Sequence, residues 1–436
     1  MHISPMPLRC VFSWLFLGRL RPGWLCAGAA AFLLLLLSGA SPLQAQPGPF
    51  RFENPKQTKV RVPAFMQRNL VIIPVQLNGQ GPFNFLLDTG ISSSLITDPK
   101  VRQQLRLRTK ERYMISGAGE EEPLEAYRVD SVRVQLKGID CPRLSFLSLS
   151  NDVLNLSGYV GMPIHGLLGS DIFRSFVVEI RPQDQQVVFY TPTSYKVPRG
   201  RQWTSIPLDI EGNKTYVTLP VTLSDSLTIP LKLVLDTGAG HALSIETTSD
   251  PRLKVPAKNL RTQLGRGLNG YINGYLGRVQ ALHLGKYKVP ALLTSFPDAA
   301  DVAQRADVFR NGNLGFELLK RFVVVIDYTH NRLLLRPNIT FREPFEHDMA
   351  GCEIVASGSE LRRYLFARIM PDSPAAVAGL QANDELVSVN LIPASQLNLT
   401  QVSNLFRSYD GRIMLLVVRR PSGKLFTAAL RLRRQI

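Results

Sequence analysis

Short runs of β-branched, aliphatic and aromatic residues alternate with Gly, Pro and Asn along most of the chain. This pattern is typical of β-strands, because bulky side chains suit a pleated surface and Gly, Pro and Asn suit the turns between strands. Short helices are expected at Asp171–Arg174 and Glu317–Arg321 in this region. The clearest predicted strands are Val71–Leu77, Val132–Leu136, Val177–Ile180, Val187–Tyr190, Tyr216–Leu223 and Phe322–Ile326.

This strand-rich region repeats itself. Each copy has an apolar strand that ends in Asp-Thr-Gly, at residues 88–90 and again at 236–238. Two glycines follow each Asp at distances of 29 and 31 residues, and a proline follows at 54. One Asp-Thr-Gly would be weak because short matches arise by chance, but two in equivalent places indicate a duplicated unit of about 140 residues. The matching glycines are Gly117, Gly119, Gly265 and Gly267, and the prolines are Pro142 and Pro290.

Two Asp residues in equivalent loops suit hydrolysis by an activated water. Carboxylates that face each other at close range cannot both ionise, so the pair shares one proton. The ionised member can take a proton from water while the protonated member donates to a substrate carbonyl oxygen. The hydroxyls of Thr89 and Thr237 can tie each loop to its partner. Gly90 and Gly238 let backbone N–H groups approach the carboxylates, with no Cβ in the way.

Residues 60–338 resemble a single-chain, two-lobed aspartic protease of the retropepsin-like superfamily. The resemblance rests on the two Asp-Thr-Gly motifs and on the later elements Leu167–Gly169 and Asn313–Gly315. It implies a mainly β fold with two pseudo-symmetric lobes, at residues 60–198 and 203–338. It also implies that Asp88 and Asp236 are the catalytic pair and that the later glycine elements brace the two loops.

The resemblance extends to candidate substrate contacts. Gly117 and Gly119, like Gly265 and Gly267, fall where mobile flap tips would lie, although ordinary β-turns are equally compatible. His241 follows Asp236 in the loop that borders substrate subsites, where it either contacts substrate or is an ordinary loop histidine.

The sequence also departs from the superfamily's usual pattern. Ile91-Ser92 follows the first Asp-Thr-Gly, Ala239-Gly240 follows the second, and Asn313 replaces an apolar residue.

The repeat ends after Asn338, and residues 348–436 form a third unit. Ser373 and Pro374 predict the start of a short helix, and residues 399–409 predict an amphipathic helix before two closing strands. The string from Ser373 to Val387 resembles an α+β PDZ domain of the bacterial protease-associated type. This implies binding of an extended C-terminal peptide, with its carboxylate held by backbone N–H groups near Gly351 and Cys352. A unit that only packs against the lobes is the alternative.

Residues 1–45 have the layout of a secretory signal peptide. Three arginines precede an apolar run from Trp24 to Leu37, and small residues follow up to Ala45. The run is shorter than the roughly 20 residues that a spanning helix needs. We therefore expect an exported protein, periplasmic or secreted. An uncleaved signal anchor facing the periplasm is the alternative, and it would be the only contact with a membrane.

Composition and charge limit the binding partners and cofactors that the sequence predicts. The chain has 436 residues and a formal charge of +17, but its Lys and Arg are spread over all units, so no nucleic-acid partner is expected. Cys141 and Cys352 are expected to be separate thiols rather than a disulfide. The histidines and cysteines do not cluster with metal-ligand spacing, so no metal or other cofactor is expected.

The sequence therefore predicts an exported aspartic endopeptidase that acts on protein or peptide substrates, with a PDZ unit that binds substrate or a partner's C-terminal peptide. The alternative is a non-catalytic, exported peptide-binding protein that keeps the protease fold as a scaffold.

Overall fold

A computed structural model describes residues 49–119, 121–302 and 308–436. The predicted signal peptide lies outside these residues. Of the residues described, 48% are in strands and 12% in helices, which confirms the mainly β prediction. No helix within the described ranges is long and apolar enough to cross a bilayer.

The first lobe is built on a nine-stranded sheet. At its centre, β5 and β10 run parallel, so that Leu86 lies beside Leu167. The strands in spatial order are β1 (Arg51–Phe52), β9 (Ile139–Leu149), β6 (Leu95–Ile96), β10 (Gly166–Leu168), β5 (Gln80–Leu87), β4 (Leu70–Leu77), β8 (Leu124–Leu136) and β7 (Arg112–Ile115), with β3 (Phe65–Gln67) paired to β4.

The second lobe repeats this arrangement in an eight-stranded sheet. Here β16 and β21 run parallel, as β5 and β10 do, and β21 is antiparallel to β17 as β10 is to β6. The duplicated sequence thus folds into duplicated topology. The strands in spatial order are β14 (Asp209–Glu211), β15 (Lys214–Ser224), β16 (Leu227–Asp236), β21 (Gly312–Gly315), β17 (Leu243–Ile245), β20 (Tyr287–Pro297), β19 (Gly270–Leu284) and β18 (Asn259–Gly267).

A six-stranded sheet joins the two lobes, because β11 of the first pairs antiparallel with β22 of the second. Every residue of β22 is buried, as expected for a strand covered on both faces. Core residues of both lobes form one continuous cluster. The strands in spatial order are β13 (Thr204–Pro207), β23 (Arg332–Pro337), β22 (Phe322–Asp327), β11 (Val177–Arg181), β12 (Gln186–Tyr190) and β2 (Lys59–Pro63).

The C-terminal unit has its own apolar core. Its strands in spatial order are β24 (Cys352–Ser357), β25 (Arg363–Ile369), β26 (Glu385–Val389), β28 (Ile413–Arg419) and β29 (Leu425–Arg431), with β27 (Ile392–Pro393) paired to β26. The α-helices of the described residues are α1 (Pro99–Gln104), α2 (Leu156–Val160), α3 (Ser170–Ser175), α4 (Ala299–Val302), α5 (Phe316–Leu319), α6 (Pro374–Val377) and α7 (Leu399–Phe406).

Helix α7 is shorter than the predicted 399–409. Asn398 caps its start in a capping box with Gln401. The helix ends at Phe406 because the next residue, Arg407, leaves helical geometry and the Phe406 carbonyl accepts the Met349 N–H at 2.9 Å. That hydrogen bond ties the helix end to the start of the C-terminal unit.

The C-terminal unit docks on the first lobe. Helix α2 contacts β24, an edge strand of the C-terminal sheet. Gly161, just after α2, lies so close to α7 that a Cβ there would be 2.8 Å from the Leu399 Cβ. The backbone N–H of Arg68 donates to the Thr400 hydroxyl at 3.1 Å, and the Arg68 guanidinium donates to Ser403. Packing and polar contacts together fix the unit against the lobe.

Substitution of Gly161 tests this docking. Gly161→Ala combines a left-handed backbone (φ +82°) with a clash against Leu399, so we expect it to lose about 2–4 kcal/mol of stability. Gly423→Ala is the matched control, since its φ is +88° but nothing lies within 4 Å, and it should lose only about 1 kcal/mol. Urea unfolding gives the stabilities, and hydrogen exchange in β24 reports undocking. Equal effects of the two substitutions would contradict the packed interface.

Candidate active site

Two carboxylates meet where the lobes join. Asp88 directly follows β5 and Asp236 is the last residue of β16, so equivalent strand ends deliver them to one place. A Cβ at Gly90 would lie 2.8 Å from the Asp236 carboxylate, and one at Gly238 would collide with the Asp88 carboxylate. Each glycine therefore leaves the space that the opposite lobe's carboxylate occupies.

Crossed hydrogen bonds between Thr89 and Thr237 hold the two loops together. The N–H of Thr89 donates to the Thr237 hydroxyl at 3.1 Å, and the N–H of Thr237 donates to the Thr89 hydroxyl at 3.0 Å. Each hydroxyl also donates to a carbonyl of the opposite lobe, Thr89 to Leu235 at 2.5 Å and Thr237 to Leu87 at 2.8 Å. Both side chains are fully buried, so these bonds are shielded from competing water.

The later glycine elements brace the loops from behind. In the first lobe the N–H of Asp88 donates to the Leu168 carbonyl at 3.0 Å. In the second lobe the N–H of Gly315 donates to the Ala242 carbonyl at 3.1 Å, and that of Phe316 donates to Ala239 at 2.8 Å. A side chain at Gly315 would collide with the His241 carbonyl, so only glycine fits where the strand crosses the loop.

Asp88 lies in the environment of a protonated acid. Only 6% of its surface is exposed, and burial is the main cause that raises its pKa to about 8. The nearby Asp236 carboxylate adds to this shift, both through charge repulsion and as a hydrogen-bond partner of the Asp88 carboxyl. The Gly90 N–H, which donates to Asp88 Oδ1 at 2.7 Å, and the charge of Lys214 act in the opposite direction.

Asp236 has a different set of partners. The Gly238 N–H donates to its Oδ1 at 3.1 Å, as Gly90 does for Asp88. Its Oδ2, however, accepts the side-chain amide of Asn313 at 2.8 Å. Asn313 is the residue that departs from the apolar pattern in the sequence, so the departure has a contact at the centre of the site.

Two hairpins meet at their tips, the first joining β7 to β8 and the second joining β18 to β19. The second hairpin places Asn269 at its tip with only 3% of its surface exposed. The Asn269 side chain accepts the Gly117 N–H and donates to the carbonyls of Glu121 and Glu122 at 3.1 and 2.8 Å. Its backbone N–H donates to Ala118 at 2.7 Å. The first hairpin is thus clasped to the second by a single asparagine.

Three of the four predicted flap glycines lie at this contact. A Cβ at Gly117 would be 2.7 Å from Leu268, and Cβ atoms at Gly119 and Gly267 would collide with Asn269 and Ala118. Gly265 is not at the tip. The turn is formed by the two residues between Gly267 and its partner Gly270, so Gly265 lies within β18. Next to it, the pairing with β19 shifts register.

His241 lies in the loop between β16 and β17, and its backbone carbonyl accepts the Glu317 N–H at 3.3 Å. The backbone thus supports the loop crossing, while contact of its ring with substrate stays a prediction.

The predicted carboxylate-binding loop of the C-terminal unit already holds a carboxylate. Asp348 accepts the backbone N–H groups of Ala350 at 3.3 Å, Gly351 at 2.5 Å and Cys352 at 3.0 Å. Burial raises the pKa of Asp348, and these N–H groups oppose the shift. In this conformation the loop near Gly351 and Cys352 is therefore satisfied from within the chain.

The thiols are unpaired, as expected. Cys141 is buried in β9 and Cys352 is half-buried in β24, and neither forms a disulfide. Across residues 49–119, 121–302 and 308–436, no group of three or more His, Cys, Asp or Glu side chains is placed to hold a metal ion.

Sequence reasoning missed Asn269, Asp348 and the turn at Arg68–Asn69. The Asn69 amide donates to the Gly240 carbonyl at 2.9 Å, behind the second Asp-Thr-Gly. The contacts of Asn269 and of Arg68–Asn69 join residues far apart in sequence, whereas Asp348 accepts N–H groups only two to four residues away. Asn313 was marked only as a break in the repeat.

Comparison with protein families gives two matches. The model described as an aspartyl protease matches residues 73–172, and a PDZ domain model matches residues 365–420. The first match includes Asp88 and the bracing element Leu167–Gly169 but ends before the second Asp-Thr-Gly. No curated protein matches the chain. The chain thus contains an aspartyl protease domain and a C-terminal PDZ domain, as the sequence resemblance implied.

Removal of the Thr237 hydroxyl tests the crossed bonds. Thr237→Val leaves the buried Thr89 N–H and Leu87 carbonyl without this partner, so we expect a loss of about 2–4 kcal/mol in the free energy of unfolding. Thr237→Ser keeps the hydroxyl and should lose less than half as much. Urea denaturation measures both variants, and equal losses would show that the methyl packing matters more than the hydrogen bonds.

The pH dependence of stability tests the environment of Asp88. Because its folded-state pKa of about 8 lies above the ordinary 3.8, the folded state keeps a proton that the unfolded state releases between these values. This contribution to stability is full below about pH 4 and is lost as the pH rises towards 8. Asp88→Asn mimics the neutral acid, so it should be more stable than wild type at pH 7, by about 1 kcal/mol or more, but not at pH 3.5.

Urea unfolding at both pH values measures the difference, with Asp225→Asn as an exposed control that should show no such dependence. A wild type that gains stability relative to Asp88→Asn on going from pH 3.5 to pH 7 would contradict the raised pKa.

Proposed function

We propose that this chain, with its aspartyl protease and PDZ domains, is an aspartic endopeptidase. The observation that carries the proposal is the meeting of Asp88 and Asp236 across the lobe junction, in a space made by Gly90 and Gly238. The Asp88 carboxyl has Asp236 as a hydrogen-bond partner, and two carboxylates within hydrogen-bond reach share a proton. One buried acid and one ionised base side by side are what hydrolysis of a peptide bond by water requires.

The reaction follows from this pair. The ionised carboxylate takes a proton from a water molecule, and the water oxygen bonds to the peptide carbonyl carbon. The protonated carboxyl gives its proton to the carbonyl oxygen, which yields a neutral tetrahedral diol. A proton then passes to the peptide nitrogen, the C–N bond breaks, and a carboxylic acid and an amine leave. The dyad regains its single proton, and no covalent intermediate forms.

The clasped hairpins define how substrate enters. Asn269 hydrogen bonds join the two tips, and Leu268 at the second tip packs on the same apolar cluster as Ile91, which directly follows the first Asp-Thr-Gly. We propose that the tips separate to admit a peptide to the carboxylates. Closure afterwards excludes bulk water, which strengthens the electrostatic interactions of the dyad. We assign these hairpins as flaps.

The PDZ domain is positioned to act on the second flap. The Arg368 guanidinium donates to Gln263 in β18 at 2.5 Å, and the Thr262 hydroxyl contacts the Met370 sulfur at 3.6 Å. β18 leads directly into the flap tip. We therefore propose that the PDZ domain recruits or gates peptide substrates. In this proposal, binding of a ligand at β24 is coupled to the release of β24 from α2. The leader pattern of residues 1–45 supports export, with the site in the periplasm or outside the cell.

Replacement of each dyad carboxylate tests the activity. Asp88→Asn and Asp236→Asn should each reduce kcat/KM on an unfolded protein substrate by at least about 1,000-fold, because each removes one proton-transfer group from a coupled pair. Cleavage is followed by mass spectrometry of the products at several pH values from 4 to 7.

Asp225→Asn, on an exposed turn, is the control and should cleave at the wild-type rate. Cleavage that persists in both dyad variants would rule out the dyad. No cleavage by the wild type, together with tight peptide binding, would instead favour the non-catalytic binding protein.

A further inference from the structure

The two halves of the site are not chemically equivalent. Leu167 in β10 lies beside Leu86 of β5, and Asn313 in β21 lies beside Val234 of β16. Leu86 and Val234 are each two residues before the Asp of their lobe. The two positions therefore correspond in the duplicated topology. The first holds an apolar side chain and the second an amide.

The amide contacts only one carboxylate. Asn313 Nδ2 donates to Asp236 Oδ2 at 2.8 Å, so Asp236 accepts hydrogen bonds on both oxygens. Leu167 offers no donor to Asp88 and instead packs in an apolar cluster with Leu86 and Leu95. The Asp88 carboxyl has Asp236 as a hydrogen-bond partner and accepts the Gly90 N–H.

We propose that Asn313 is a positioning residue that fixes the shared proton on Asp88, which makes Asp236 the base and Asp88 the acid. This inference rests on the proposed peptidase function. An ionised carboxylate only accepts hydrogen bonds, so it selects the Nδ2–H face of the amide, and a hydrogen bond to the charged form favours that form. Asp88 is buried and receives no such amide from the corresponding Leu167, so its charged form is disfavoured.

The other charged and titratable groups around the pair do not reproduce this asymmetry. Lys214 acts on Asp88 and favours its ionised form, which opposes the assignment. Tyr328 is buried and keeps its proton because burial raises its pKa. His241 lies on the same loop as Asp236, and a variant at that position separates its titration from that of the dyad.

The test is the pH profile of kcat/KM for the full chain. Asn313→Leu installs the residue that the first lobe already has, so the fold has a precedent for it. Loss of the donor makes ionisation of the dyad harder, and the acid limb should move up by about one pH unit, with about tenfold lower kcat/KM below the limb and a smaller loss on the plateau. Asn313→Gln keeps an amide, so its acid limb should stay close to the wild-type position.

Two controls separate this role from a structural one. Asn404→Leu, on the exposed face of α7, and His241→Gln should leave the acid limb in place. A uniform loss of activity at all pH values in Asn313→Leu, with the limb unmoved, would overturn the proposal.

A titration that does not depend on catalysis separates the role of Asn313 from the proposed peptidase function. Protein labelled with ¹³C at the Asp side-chain carboxyl is titrated by NMR, with the dyad signals assigned through Asp88→Asn and Asp236→Asn. The wild type should retain its dyad proton on Asp88 at pH 6, and Asn313→Leu should move the first ionisation of the pair upward. If the wild type cleaves no peptide, the proposed function fails while this titration still decides the role of Asn313. A proton on Asp236, or identical titrations, would refute it.

Discussion

The crossed hydrogen bonds of Thr89 and Thr237 are the constraint on which the site depends. Each threonine uses its N–H and its hydroxyl toward the opposite lobe, so neither loop can move without breaking bonds that water cannot replace in a buried setting. This constraint brings two carboxylates closer than repulsion would allow on separate surfaces. Burial is the main cause of the raised pKa of Asp88, and the nearby Asp236 carboxylate adds to it.

A duplicated fold provides a symmetric frame, but hydrolysis needs one acid and one base. The frame is symmetric in strand order, in the threonine pair and in the glycine that faces each carboxylate. It is asymmetric at the carboxylates, with Asn313 on one side and Leu167 on the other, and in the two hairpins, where only the second contributes the inserted Asn269. A single chain can vary its two halves independently, which a dimer of identical subunits cannot.

The turn at Arg68–Asn69 connects all three units. Arg68 bonds to Thr400 and Ser403 of α7, while Asn69 donates to Gly240 and accepts the buried ammonium of Lys320 at 2.7 Å. The PDZ domain is therefore linked, through Arg68 and Asn69, to the loop that follows Asp236. The docked domain makes internal contacts at two places: β24 lies against α2, and the N–H groups near Gly351 donate to Asp348.

The sequence by itself determined the strand-rich lobes, their duplication, the pair Asp88 and Asp236, and the PDZ unit, because these depend on local periodicity and on motifs whose residues are close in the chain. Tertiary structure decided the end of α7 at Phe406 and the contacts of the hairpin tip at Asn269, since their partners lie on other elements. The sequence shows that Asn313 departs from the repeat, but its hydrogen-bond partner Asp236 is 77 residues away. Only folding, which sets β21 beside β16, turns that difference in composition into a difference between two carboxylates.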